Sequence, residues 1–121
     1  METMAQHQEQ LQYAEVYISD MLALRNMFLQ IHNTSKISSD FGIPFLLAKK
    51  ENQIVSFATL ILNRNGKISF KIWAKNTVSD QEKKNFYSKA ENEFNRKKDP
   101  NFRDPEQLKS SIASMISWLN F

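Results

Sequence analysis

From Tyr17 onward, apolar residues recur at Tyr17, Met21, Leu24, Phe28 and Ile31. The steps alternate between four and three, which is the spacing of a single helical stripe. The residues just before it read two ways. Over residues 12–19, Ala14, Val16 and Ile18 alternate with Tyr13, Glu15 and Tyr17, as in a strand that leads into a helix capped at Ser19 or Asp20. The same stretch also continues the stripe as one helix from about residue 6 to His32. His32, at the helix end, favours the negative end of the helix dipole. Residues 38–44, Ser-Ser-Asp-Phe-Gly-Ile-Pro, then read as a loop.

The middle of the chain has the two-residue period of strands. Residues 45–49 and 54–62 flank Lys50-Glu51-Asn52-Gln53, a short polar connection that suits a hairpin. Asn65-Gly66 separates the run 54–62 from 67–74, and both residue types accept the positive φ angles of a tight hairpin turn. In the last strand Ile68, Phe70, Ile72 and Ala74 face one way, toward a core. Lys67, Ser69, Lys71, Trp73 and Lys75 face the other.

Helical spacing returns after Val78. Ser79-Asp80-Gln81-Glu82 matches a capping box, and Phe86, Ala90 and Phe94 follow at steps of four with Tyr87 beside them. Arg96-Lys97-Lys98 suits the helix C-terminus, and Asp99-Pro100 stops it. Asp104-Pro105-Glu106-Gln107 opens a final helix whose apolar face is Leu108, Ile112, Met115, Ile116 and Leu119. The fold class that follows is α+β: a three- to four-stranded antiparallel meander packed with an N-terminal helix and two C-terminal helices. The expected core is Phe28, Leu46, Phe57, Leu60, Phe70, Ile72, Phe86, Phe94, Ile112 and Met115.

The 121 residues are the length of one domain, 1–121, and 41% hydrophobic with 24% charged residues is the balance of a globular protein. The longest apolar segment, 54–62, is broken by Ser56 and Thr59, so no membrane span is expected. The opening METMAQHQEQLQ lacks the basic and apolar regions of a secretory signal, and there is no cysteine. Both point to the cytoplasm. Zero cysteines also remove thiolate metal sites and cysteine nucleophiles. His7 and His32 are too far apart in sequence for a zinc pair, no Gly-x-Ser-x-Gly elbow occurs, and Gly42 and Gly66 cannot build a phosphate loop. No metal is expected, and no recognisable reactive constellation is present.

The net charge of +3 is unevenly spread. Residues 36–103 hold fourteen Lys or Arg against seven Asp or Glu, whereas residues 1–35 hold Arg25 alone against four acids. On the third strand Lys67, Lys71 and Lys75 share a face with Trp73, with Lys49, Lys50 and Arg64 on nearby connections. Ammonium groups bind phosphate and an indole stacks on a base, so this set is the anion-binding candidate, for a nucleotide or a single strand. An exposed sheet face whose lysines discourage strand-to-strand aggregation has the same pattern.

The element order from residue 12 to 94 resembles the first part of the GNAT acyltransferase superfamily. Phe45-Leu46-Leu47-Ala48-Lys49-Lys50-Glu51-Asn52-Gln53-Ile54-Val55-Ser56-Phe57-Ala58-Thr59-Leu60 is similar to that family's second and third strands, with Ser56 where glycine is frequent. Val78-Ser79-Asp80-Gln81-Glu82 stands where the family enters its cofactor helix, and Ser117-Trp118-Leu119-Asn120-Phe121 resembles its closing segment. The resemblance implies acetyl-CoA as cofactor, held along the strand backbone at Ile72–Ala74, and Tyr87 as the acid. The chain departs from the family at Gln81-Glu82-Lys83-Lys84-Asn85-Phe86, which has no glycine where the family brings bare amides to the CoA pyrophosphate. A relative that has lost the cofactor is the form this implies.

These readings favour a binding protein without a cofactor over an enzyme. Leu11, Ile18, Leu22, Met27 and Leu29 lie off the main helical stripe, so the N-terminal helix has more than one face to cover. A second copy of the chain or another protein is the expected partner, ahead of a nucleic acid.

Overall fold

The computed structural model describes residues 11–120. One antiparallel sheet runs β1 (Gln12–Glu15), β2 (Ile43–Lys50), β3 (Gln53–Leu62) and β4 (Ile68–Ala74), in spatial order β1-β2-β3-β4. Between β1 and β2 come a short 3₁₀ turn (Ile18–Asp20), the helix α1 (Met21–His32) and a second 3₁₀ turn (Ser39–Phe41). After β4 follow α2 (Asp80–Arg96), the one-turn helix α3 (Pro100–Arg103) and α4 (Pro105–Leu119). The expected α+β class is the observed one. Of the two readings of residues 12–19, the strand is the one found, although it ends at Glu15. The earlier start of a continuous helix lies outside the described residues.

Hydrophobic pattern decides which strands are central. β2 and β3 carry near-continuous apolar runs and are buried on both faces, while β4 alternates and is half-buried at the sheet edge. Leu46, Ala48, Ala58 and Leu60 face a cluster built with Phe86, Ala90, Leu108 and Ile112. Leu47 and Phe57 face the opposite cluster, built with Met21, Leu24, Met27, Phe28, Phe41 and Leu119. Helix α4 therefore contributes to both. Its C-terminal end is tied to the α1 side of the molecule. Arg25 Nε donates to the Leu119 carbonyl at 2.6 Å, and the Asn120 carboxamide bonds the Ile37 N–H and C=O at 2.9 and 3.0 Å.

Six of the ten expected core residues are fully buried; Phe70, Ile72, Phe94 and Met115 only flank the clusters. Phe41, inside the stretch that reads as a loop, and Phe102, between the two C-terminal helices, are both buried. Phe41 meets the rings of Phe28 and Phe57, and Phe102 those of Phe45 and Phe94. A short helical turn aims each ring at the sheet, which apolar periodicity cannot register over three or four residues.

Both hairpins form, the first across the polar connection as expected and the second with a turn different from the one expected. The two-residue Glu51-Asn52 turn takes positive φ at both residues, 55° and 64°, the pattern of a type I′ turn. At the second hairpin only Gly66 is left-handed, at φ 75°. The Gly66 N–H donates to the Asn63 carbonyl at 2.9 Å, and the Asn63 side chain accepts from the N–H groups of Asn65 and Lys67. This is a three-residue loop with a glycine bulge rather than a two-residue Asn-Gly turn. The capping box is present: Ser79 Oγ accepts from the Glu82 N–H at 3.1 Å and Glu82 Oε1 from the Ser79 N–H at 2.9 Å. Asp104 caps α4, accepting from the N–H groups of Glu106 and Gln107.

Candidate functional site

The four residues of the strand-face set do not converge. Lys67 and Lys75 bracket β4, and eight residue steps at about 3.3 Å each put them roughly 26 Å apart. Between them Lys71 is paired with Asp40 at 3.5 Å, with its ammonium 5.6 Å from the Trp73 ring centroid. Trp73 itself belongs to the α1 cluster. Its ring lies edge-on to Phe28 at 5.9 Å and to His32 at 4.5 Å, and its Nε1 is buried without a hydrogen-bond partner. The strand-face reading needs Trp73 as an open stacking surface; here the indole packs inward, because its register partner Phe57 points into the same cluster. His32, read as a dipole-complementing residue, is also part of this ring stack, 4.2 Å from Phe28.

Lys75 has a different setting. It lines a cleft of about 410 Å³ between α1 and the β2–β3 hairpin, together with Lys49 and the carboxamides of Asn26, Gln30, Asn52 and Gln53. Ala23, Met27 and Ile54 form its apolar part. The local sequence explains the convergence. Asn26 and Gln30 are one turn apart on α1, so they share a face. The tight turn at Glu51-Asn52 returns Gln53 and Ile54 alongside Lys49, with Ile54 its register partner. Among the described residues no carboxylate lines this cleft.

Two other concavities differ in chemistry. One of about 430 Å³ beside β1 is lined by Tyr13, Glu15, Lys89, Glu93 and Arg96 among others. Its charges are already matched, with Glu93 3.6 Å from Lys89 and 2.6 Å from Arg96. A smaller one, about 250 Å³, lies where β2 meets Lys97, Asp99 and Phe102. Tyr87 lies outside all three. It is half exposed on α2, with its ring 5.1 Å from Phe70.

The N-terminus of α2 is occupied from within. The capping box uses the Ser79 and Glu82 N–H groups, and Lys50 Nζ lies 3.1 Å from the Glu82 carboxylate. That carboxyl is held below its usual range, chiefly by the Ser79 N–H and further by the Lys50 ammonium, with partial burial opposing both. Among the described residues no group of three His, Asp or Glu side chains is placed to hold a metal ion. No helix among them is long and apolar enough to cross a membrane.

The strand pattern pointed to Lys75, and Lys49 was noted only as a neighbour on a connection. The four carboxamides were missed. The one available signal was Asn26 and Gln30, four apart on a helix whose other polar residues are Arg25 and His32.

A last surface is apolar. Helix α1 buries Met21, Leu24, Met27 and Phe28. Tyr17, Ile18 and Leu22 stay 64%, 80% and 54% exposed at its N-terminal end, so Tyr17 falls off the buried stripe while Met27 joins it. Against known protein families, curated proteins and solved structures, the chain finds no match.

Proposed function

We propose that this protein acts by non-covalent association, as a small interaction protein, and that the start of α1 is its contact surface. The observation that carries the reading is the exposure of Ile18 and Leu22. Ile18 opens the 3₁₀ turn that leads into α1 and Leu22 lies in the first turn of the helix, so both stand exposed at the same end of α1. Burying a side chain of this size is worth about 1.5–3 kcal/mol, so a pair left in water is a ready source of binding energy. A second copy of the chain is the occupant to test first. Sedimentation or light scattering across the micromolar range should show a dimer that dissociates in an Ile18→Glu, Leu22→Glu double variant. A monomer at high micromolar concentration overturns self-association.

The enzyme reading, acyl transfer from acetyl-CoA by a GNAT-like relative, draws support from the order β1, α1, β2, β3, β4, α2 around one antiparallel sheet. Against it stands the capping box at the helix end where a pyrophosphate would sit. Thermal melting with millimolar coenzyme A separates the two. A ligand at 100 times its Kd stabilises by about 2.7 kcal/mol, a shift no melting curve would miss.

A further inference from the structure

We infer that the lysine–carboxamide cleft between α1 and the β2–β3 hairpin is a binding site for a small phosphorylated molecule, of the size of a mononucleotide. Three observations converge on it. The first is the charge. Lys50, Lys71, Lys89 and Lys97 each have a carboxylate within 4 Å, at 3.1, 3.5, 3.6 and 3.9 Å. Lys49 and Lys75 have none among the described residues, and both open into the same cleft. Two ammonium groups lining one cleft without a counter-ion make its potential positive, and an anion of charge two complements that.

The second is the hydrogen-bonding capacity. Gln30, Asn52 and Gln53 have no side-chain hydrogen bond to another described residue, while Asn26 accepts from Arg25 at 3.3 Å. Carboxamides present donors and acceptors side by side, which is the complement of a heterocycle or sugar edge. The third is shape. About 410 Å³ lies in the range of small-ligand sites, and Met27 and Ile54 supply the apolar surface on which a ligand body rests. Lysine at both cationic positions supplies two point charges of the kind that bind phosphate. Glu51, the nearest acid along the chain, sits in the turn and is not among the lining residues.

The test uses titration calorimetry at low salt on the whole chain, with AMP, adenosine, inorganic phosphate and succinate as probes. AMP should bind, adenosine should not, and Lys49→Ala or Lys75→Ala should each weaken AMP about tenfold. Gln30→Ala should weaken AMP while leaving inorganic phosphate unchanged. Lys67→Ala, on the same strand face but at the far end of β4, should leave affinity unchanged. Melting curves of the variants confirm that they fold, and both lysines are only half-buried, so folding should persist. Absence of AMP binding overturns the inference, as does equal binding of adenosine. A Lys67→Ala loss as large as that of Lys75→Ala would replace the cleft by general surface charge, and tighter binding of succinate would replace phosphate by carboxylate. None of these readouts depends on whether the chain self-associates.

Discussion

Replacing Gly42 with alanine adds a single methyl group, and the surroundings of that methyl fix the outcome. Gly42 has φ 61° and ψ −148°, a conformation essentially reserved for glycine. Forcing an alanine into it costs about 1–3 kcal/mol before any contact is considered. The added Cβ would lie 2.0 Å from the Leu60 carbonyl oxygen and 2.7 Å from Thr59 Oγ1. Leu60 is in β3, a central strand, so its carbonyl cannot withdraw without disturbing pairing on either side. Thr59 Oγ1 also donates to the Phe41 carbonyl, a buried bond that would have to stretch, at a further cost of about 1–3 kcal/mol. Gly42→Ala should therefore lose at least about 3 kcal/mol, out of a total stability of roughly 5–15 kcal/mol. At about 4 °C per kcal/mol for a domain of this size, Tm falls by about 12 °C or more. Gly66→Ala is the control. Its φ is also positive, at 75°, but nothing lies within 4 Å of the added Cβ, so only the backbone cost of about 1–2 kcal/mol applies. Urea or thermal unfolding of both variants decides the matter. Equal losses at the two positions, or a Gly42→Ala protein melting within about 4 °C of the parent, would refute the steric argument.

Three further outcomes follow from local chemistry. Glu51 occupies a left-handed position that asparagine or glycine fits better, so Glu51→Asn should raise stability by about 0.5–1 kcal/mol, read from the urea midpoint at unchanged slope. Glu82 has its carboxyl lowered by the Ser79 N–H and Lys50. Its contribution is therefore complete above the unfolded pKa and is lost as pH falls from there through the lower folded value. The acid side of a stability–pH curve should be shallower in Glu82→Gln, and an identical slope would remove that assignment. Trp73 Nε1 makes no hydrogen bond, so Trp73→Phe gives up no partnered polar group and should cost less than about 1.5 kcal/mol. Truncation to alanine should cost about 3–5 kcal/mol by thermal melting.

Where the sequence was legible, the reason is periodicity over at least two turns or four strand residues. The 54–62 run, the alternation in β4 and the stripe Phe86, Ala90, Phe94 each extend that far, and each formed as read. Capping chemistry was legible for the same reason, since Ser79 with Glu82 and Asp104 with Pro105 are local signals. Phe41 and Phe102 escaped because each is a single ring on a short turn, buried by contacts with residues far along the chain. The cleft escaped for a related reason. Asn26, Lys49, Asn52 and Lys75 come from separate elements, and only the meander register brings them side by side. Trp73 was placed on the correct side of its strand. That side is roofed by α1, a fact about tertiary packing that alternation does not encode.

The Arg25–Leu119 and Asn120–Ile37 bonds span 94 and 83 positions of sequence. Until the ribosome has delivered Leu119, the α1 side of the sheet lacks one wall, and the loop at Ile37 has no partner for its backbone. A nascent chain carrying all four strands is thus an incomplete object with an open apolar flank. Newly made protein would pass its greatest risk of clumping in the interval between completion of the sheet and the docking of α4.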